Sequence, residues 1–315
     1  MSNFASGYVK YINHLEQIND AALARPQVMI DEVEDGYREH LRNIARNILS
    51  HYGTAKVCML AGPSSSGKTT TAHLLRDYLE ELGLQAQIVS LDDFYLGTAQ
   101  MPLLPSGERD YETVNALDVE MVRQCIRSVI DQGTCMLPAY DFMTSERRLN
   151  ARALDVRENG FVIMEGIHAL NPRLTCVLPE KSVYKIYAGL REEYSQDGAR
   201  FLPTRDVRLA RRMVRDIRFR GHSVEKTLGM WPDVCAGEDK YIKVFKNQAD
   251  LLLDTSFTYE LCVLAPFVHE LRGAVAPDSE YAPVLEALCA KYDACASLPA
   301  SLIPEDSMLR EFIGV

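Results

Sequence analysis

Lys56-Val57-Cys58-Met59-Leu60-Ala61-Gly62-Pro63-Ser64-Ser65-Ser66-Gly67-Lys68-Thr69-Thr70 is the stretch that decides the fold. Its first six residues read as a short buried strand, and Gly62 to Thr69 fit the phosphate-binding pattern G-x-x-x-x-G-K-[ST] position for position. Beyond it, Ala72, Leu75, Leu79 and Leu82 recur at helical spacing until Gly83 ends the run. Strand, glycine-rich turn and helix thus stand in the order such a loop requires. Gly62 and Gly67 can adopt backbone angles closed to other residues, which lets successive N–H groups turn toward phosphate oxygens. Lys68 adds a cation near the β and γ phosphates, Thr69 offers its hydroxyl to Mg²⁺, and the positive end of the helix dipole faces the same point. The chain is therefore expected to bind a nucleoside triphosphate, with Gly62, Pro63, Ser64, Ser65, Ser66, Gly67, Lys68, Thr69 and Thr70 as the ATP-binding loop.

The rest of the composition narrows the class. A chain of 315 residues that is 47% hydrophobic can bury a substantial core. Its net charge of −10 argues against a general polyanion-binding surface, so no nucleic-acid partner is expected. The eight cysteines are scattered without C-x-x-C pairs or Cys/His clusters, which points to reduced thiols rather than to zinc or a disulfide framework. No leader-like or bilayer-length apolar run is present, and the apolar stretch from Leu261 to Val268 is too short to cross a membrane. A cytoplasmic protein with no membrane partner is the expectation.

Along the chain, Ile30, Val33, Tyr37, Leu41, Ile44 and Ile48 recur at intervals of three and four, marking residues 1–52 as a helical N-terminal extension. From Lys56 onward short apolar runs alternate with helical patterns: Ala86 to Leu91 as strand, Val119 to Ile130 as helix, then Phe161 to Met164 and Val183 to Tyr187 as strands. Such alternation predicts an α/β fold, a parallel sheet flanked by helices with ligands at the carboxyl ends of the strands. The core is expected over 53–258, with a mobile loop from Gly97 to Tyr111. A helical C-terminal segment follows over 259–315, with helices at Tyr259 to Val268 and Tyr281 to Tyr292.

A phosphate loop alone serves ATPases, GTPases and kinases alike, so the other strand ends must discriminate. Neither an N-K-x-D guanine signature nor an L-S-G-G-Q transporter signature is present. The second strand runs into Ser90-Leu91-Asp92-Asp93-Phe94-Tyr95, which brings carboxylates to the edge where the phosphates would lie. A carboxylate there can take the proton of an attacking hydroxyl or hold water on Mg²⁺, and Asp92 is the candidate for both. Phe161 to Gly166 is a buried strand ending in Glu165, the candidate for a second metal-organising carboxylate beside Thr69. Arg205, Arg208, Arg211, Arg212, Arg215, Arg218 and Arg220 crowd one segment, with Arg208, Arg212 and Arg215 on one helical face and Leu209, Ala210, Met213 and Ile217 opposite. A solvated basic face is the plain reading of such a run. Beside a triphosphate loop the arginines read instead as a lid, around 203–222, that neutralises the transferring phosphoryl group, a role worth on the order of 10³ to 10⁵ in rate.

These stretches together carry a family resemblance. Gly62 to Thr70, Ser90 to Tyr95, Pro138-Ala139-Tyr140-Asp141-Phe142, Glu165-Gly166-Ile167 and Arg211-Arg212-x-x-Arg215-Asp216-x-x-x-Arg220-Gly221 resemble the motif series of the uridine kinase/phosphoribulokinase family. Gly166 to Asn171, Pro203 to Asp206, Met230-Trp231-Pro232 and Leu309 to Gly314 are similar to bacterial uridine-kinase-like nucleoside kinases, without the synthetase-like N-terminal domains that many of those carry. The resemblance implies a P-loop kinase in which Asp92 is the base toward a ribose 5′-hydroxyl. It further implies that Thr69, Asp92 and Glu165 organise Mg²⁺, that Arg212, Arg215 and Arg220 grip phosphate with Lys68, and that Tyr95, Tyr111, Glu112 and Tyr140 form the acceptor pocket. Departures fall on the acceptor side: Tyr111-Glu112-Thr113-Val114-Asn115 replaces the family's Phe-Asp-His-Pro-Asp, and Ser145 stands where a base-contacting histidine is usual. His222 replaces the arginine after the lid's Arg-Gly. The expected reaction is Mg²⁺·ATP-dependent phosphorylation of a small-molecule acceptor, a nucleoside before a sugar phosphate or polyol. The alternative from another class is a nucleotide-binding regulatory protein, which would have no need of Asp92. Self-association into a homo-oligomer is left open.

Overall fold

The computed structural model describes residues 11–142, 144–179 and 181–314, so the first ten residues of the expected extension lie outside the described residues. The chain runs through β1 (Tyr11–His14), α1 (Leu15–Ala24), α2 (Pro26–His51), β2 (Val57–Ala61), α3 (Lys68–Glu81), β3 (Gln85–Ser90) and α4 (Val119–Gln132). The hairpin β4 (Thr134–Asp141) and β5 (Glu146–Asp155) follows, then β6 (Gly160–Glu165), α5 (Pro172–Thr175), β7 (Val183–Gly189), β8 (Glu192–Gln196) and β9 (Ala199–Leu202). The remaining elements are α6 (Thr204–Phe219), α7 (Val224–Gly237), β10 (Leu251–Asp254), α8 (Glu260–Glu270), α9 (Ala282–Asp293) and α10 (Arg310–Ile313).

Five strands form one parallel sheet in the order β10-β7-β2-β6-β3. β2 sits at its centre because all five of its residues are buried, the continuous apolar signature of a strand covered on both faces. Alternation along it divides the core: Cys58 and Leu60 face a cluster shared with α2, α3, α6 and α8, while Val57, Met59 and Ala61 face one shared with α4 and the hairpin. The chain crosses β2 in going from β6 to β7, so the order of strands reverses around the loop that follows β2, where open α/β sheets bind ligands.

The parallel sheet is as expected, and two further sets of strands add to it. β4 and β5 pair antiparallel over residues that are mostly half-buried or exposed, with the register shifting around Pro138, which has no N–H to give a ladder. β1 joins β8 and β9 in a separate three-stranded sheet, so the N-terminal extension is not wholly helical. The stretch from Gly97 to Tyr111 is irregular as expected, with Leu103 bridged to Arg109.

Candidate active site

The turn between β2 and α3 is shaped by two left-handed residues, Ser65 at φ 59° and Gly67 at φ 79°. Only glycine takes the second without strain, and a Cβ there would overlap the Met308 sulfur. A Cβ on Gly62 would overlap the Ala188 carbonyl of β7, so the loop lies close against the sheet. Gly67 caps α3 with no side chain, which leaves the N–H groups of the first turn facing the loop. Lys68 is 9% exposed and folds back so that Nζ donates to the Pro63 carbonyl at 3.1 Å. Burial pushes the pKa of its ammonium down, against the opposing pull of Glu165, Glu311 and Asp92. Thr69 is exposed at the mouth.

Adjacent strand ends bring the carboxylates to that lysine. Glu165 ends β6 in register with Leu60 of β2 and Ser90 of β3. Ser90 Oγ donates to Glu165 Oε1 at 2.9 Å and accepts the backbone N–H of Asp92 at 3.3 Å, so one hydroxyl links the Glu165 carboxylate to the backbone that carries Asp92. Burial raises the Glu165 pKa to about 7; Lys68 and Ser90 hold it down and Asp92 adds to the rise. Asp92 reaches solvent but is crowded by protein, which raises its pKa while Lys68 and Arg220 oppose. Asp93 turns away and is bound by the Tyr140 backbone.

The described residues contain no group of three or more His, Cys, Asp or Glu that could hold a metal by themselves. Ser90 bonds the Glu165 carboxylate and the Asp92 backbone, and these two acids with the exposed Thr69 offer the hard oxygen ligands that would suit a cation keeping several waters and taking its remaining ligands from phosphate.

Opposite the carboxylates lies α6, buried continuously from Val207 to Asp216. Arg212 Nη1 donates to Ser64 Oγ of the loop at 2.8 Å. Asp216, fully buried, gathers Arg215 through two bonds of 2.9 and 2.7 Å, Arg212 at 3.3 Å and Arg220 at 3.6 Å. The other arginines are anchors. Arg208, 2% exposed, pairs with Glu238, lies over Trp231 and donates to the Ser64 carbonyl at 3.0 Å. That contact with the loop backbone separates Arg208 from Arg212 and Arg215, whose helical face it shares. Arg211 is wholly buried against Glu260 and stacks on Phe312, and Arg218 lies over Phe267.

On the acceptor side, Tyr95, Tyr111, Tyr140 and Phe142 enclose one another with ring centroids 4.9–6.0 Å apart. Tyr95 Oη donates to the Tyr111 carbonyl at 3.0 Å, Tyr111 and Tyr140 hydroxyls meet at 3.2 Å, and Arg109 bonds Ser145. Glu112 comes within the field of Arg212, Lys68 and Asp92, and burial raises its pKa to about 7. A Cβ on Gly237 of α7 would crowd the Glu112 side chain. Beside Tyr111 and Glu112 opens a cavity of about 220 Å³ whose walls carry Glu108, Asp110, Glu112 and Asp233 against Arg109 and Lys240.

The residues expected from sequence therefore converge: Lys68, Asp92, Glu165, Glu112 and Arg212 interact in one cleft, Arg215 and Arg220 pair with Asp216 and act on Lys68 and Asp92, and the three tyrosines lie beside Glu112. Ser90, Arg109 and Asp216 were not singled out by pattern, although Ser90 and Asp216 lie inside the quoted motifs. A hydroxyl next to two acids and an aspartate among arginines were the available signals.

Comparison with known proteins bears on the family. A uridine kinase from Clostridium botulinum (strain Kyoto / Type A2) is 26% identical over 196 residues, covering 62% of this chain and 85% of that protein. A uridine kinase from Lactobacillus johnsonii is 25% identical, covering 62% and 83%. Among solved structures, a Silicibacter sp. TM1040 protein assigned as a fructose transport system kinase superposes with a TM-score of 0.50 at 19% identity, over 67% of this chain and 98% of that one, which supports the fold alone. The family model described as phosphoribulokinase/uridine kinase matches residues 57–186 and 200–260, from the central strand through the arginine helix to the start of α8. With a match over well over half its length, the chain belongs to the phosphoribulokinase/uridine kinase family of ATP-dependent phosphotransferases that act on an alcohol group.

Proposed function

We propose that this protein is a Mg²⁺·ATP-dependent nucleoside kinase that phosphorylates the 5′-hydroxyl of uridine or cytidine. The observation that carries the acceptor class is the ring enclosure of Tyr95, Tyr111, Tyr140 and Phe142 next to a cavity lined by four acids and only two bases. Aromatic faces suit a planar heterocycle. An acceptor that already carries phosphate would meet a net negative wall, which disfavours the sugar-phosphate alternative.

In this reading Asp92 accepts the proton of the acceptor hydroxyl as its oxygen bonds to the γ phosphorus, and the leaving oxygen departs with the nucleoside diphosphate. Lys68 and Arg212, both on the loop side of the cleft, neutralise charge that builds on the transferring group, and Arg215 is held ready for the same task by Asp216. Glu112 takes the acceptor's vicinal hydroxyls. Thr69, Asp92 and Glu165 would hold Mg²⁺, which would supply charge neutralisation to the triphosphate.

A screen of nucleosides, sugars and sugar phosphates, read by ADP release, tests this. Uridine and cytidine should turn over fastest, and Asp92→Asn should lower kcat by about 10² while ATP affinity changes far less. A sugar phosphate as the best acceptor would overturn the nucleoside assignment, and an unchanged kcat in Asp92→Asn would remove that carboxylate as the base.

A further inference from the structure

The segment Ser307–Gly314 is fastened beside the phosphate loop from several sides. Arg310 donates to the carbonyls of Ala300, Ile303, Pro304 and Gly314, Phe312 stacks on Arg211, and Arg38 pairs with the neighbouring Asp306 at 2.8 Å. Met308, fully buried, packs on the Cα of Gly67. These contacts aim one side chain at the loop. Thr70 Oγ1 donates to Glu311 Oε2 at 2.8 Å, in the first turn of α3, and the Glu311 carboxylate also faces Lys68 and Arg220.

A carboxylate at this point meets a problem of stoichiometry and charge. Thr70 has one hydroxyl proton, so while it serves Glu311 it cannot serve a phosphate oxygen. The N–H groups of the same turn and the dipole they express are the groups a donor's α and β phosphates use. Two anions at one helix terminus repel unless one withdraws.

We propose that Glu311 is a phosphate-displaced carboxylate: it occupies the hydroxyl of Thr70 in the nucleotide-free protein, and a polyphosphate must turn it away toward Arg220 to seat fully. This rests on the donor-site reading of the loop. The consequence is a built-in competitor that weakens donor binding and, after transfer, drives the diphosphate out as the carboxylate returns. Glu311 is in this sense a residue of the donor site, supplied by a segment outside the stretch that matches the family.

Calorimetric titration of inorganic tripolyphosphate and of ADP into the wild-type protein, Glu311→Gln and Glu311→Ala tests it, with no acceptor needed. Glu311→Gln keeps the size and an acceptor oxygen, so the segment remains docked while the competing charge is gone. Both ligands should bind Glu311→Gln about fivefold more tightly or better, and Glu311→Ala at least as tightly. Unchanged or weaker binding in both variants, beside measurable wild-type binding, overturns the inference and leaves the kinase reading standing. If the wild-type protein binds neither ligand, the donor-site reading falls and this inference with it.

Discussion

Glu165 is a residue whose ionisation works against the fold that holds it. Its carboxyl is buried at the end of β6 and protonates at about 7 instead of the usual 4.5. Between those two values the folded protein keeps a proton that the unfolded chain has released, so stability falls as pH rises from about 4.5 and the cost is complete above about 7. Glu165→Gln removes the charge and should raise the melting temperature at pH 8, by the equivalent of up to ~3 kcal/mol, while the advantage fades toward pH 5. The same variant should lose most of its activity, since a neutral amide is a poor metal-organising group. Melting curves at both pH values check the sign, and a variant that is less stable at pH 8 would contradict the assigned environment. At this scale the sequence was informative where chemistry is local: the loop, Asp92 and Glu165 each follow from their place at a strand end. It was silent on Ser90, because that serine meets the Glu165 carboxylate only when β3 and β6 are laid side by side in register.

Among the elements, α6 separates best what pattern can and cannot read. Its arginines look interchangeable along a helical wheel, yet three different jobs are visible once their partners are known. Arg208 and Arg211 find Glu238 and Glu260, acids tens of residues away whose approach no local spacing announces. Removing the Arg211 side chain strands a buried carboxylate, so Arg211→Ala should destabilise the fold by about 3–5 kcal/mol. Arg212→Ala and Arg215→Ala should instead depress kcat strongly with modest loss of stability, since Arg212 reaches Ser64 of the loop and Arg215 sits beside it on Asp216. Arg218→Ala should leave kcat nearly intact, as its guanidinium lies over Phe267 away from the cleft. Kinetics and urea unfolding of the four variants measured together check this, and equal small effects throughout would leave α6 without a role in transfer. The hairpin of β4 and β5 went unread for a related reason: Glu146 to Asp155 is charged and largely exposed, and neither strand carries a continuous buried run.

Across the whole molecule, the parallel sheet and four of its strands were legible because a covered parallel sheet writes itself as apolar runs spaced by helices, whereas the strand order and the edge strand β10 came only with the structure. The way the flanking segments attach was not. Residues of the N-terminal helices, the P-loop helix and the final segments belong to one core: Ile30 and Leu41 of α2, Ala72 and Leu75 of α3, Phe257, Tyr292 and Phe312 lie in a single buried cluster. Polar links reinforce it, with Tyr37 bonded to Thr71 at 2.8 Å behind the phosphate loop and Tyr259 bonded to Glu34 of α2. A shared core predicts shared unfolding. Leu41→Ala opens a cavity at a fully buried position and should cost about 2–5 kcal/mol. Trp231, the single tryptophan, sits on α7 far along the chain from Leu41 and gives a local probe to set against the far-ultraviolet signal of all the helices. If the extension, the kinase core and the closing helices unfold as one body, urea transitions followed by Trp231 fluorescence and by circular dichroism should coincide in the wild-type protein and shift together in Leu41→Ala. An independently folding extension would instead shift part of the dichroism and leave the Trp231 midpoint where it was. The tie through Tyr37 and Thr71 favours the first outcome, because a helix that braces the back of the phosphate loop cannot loosen without loosening the element on which catalysis depends.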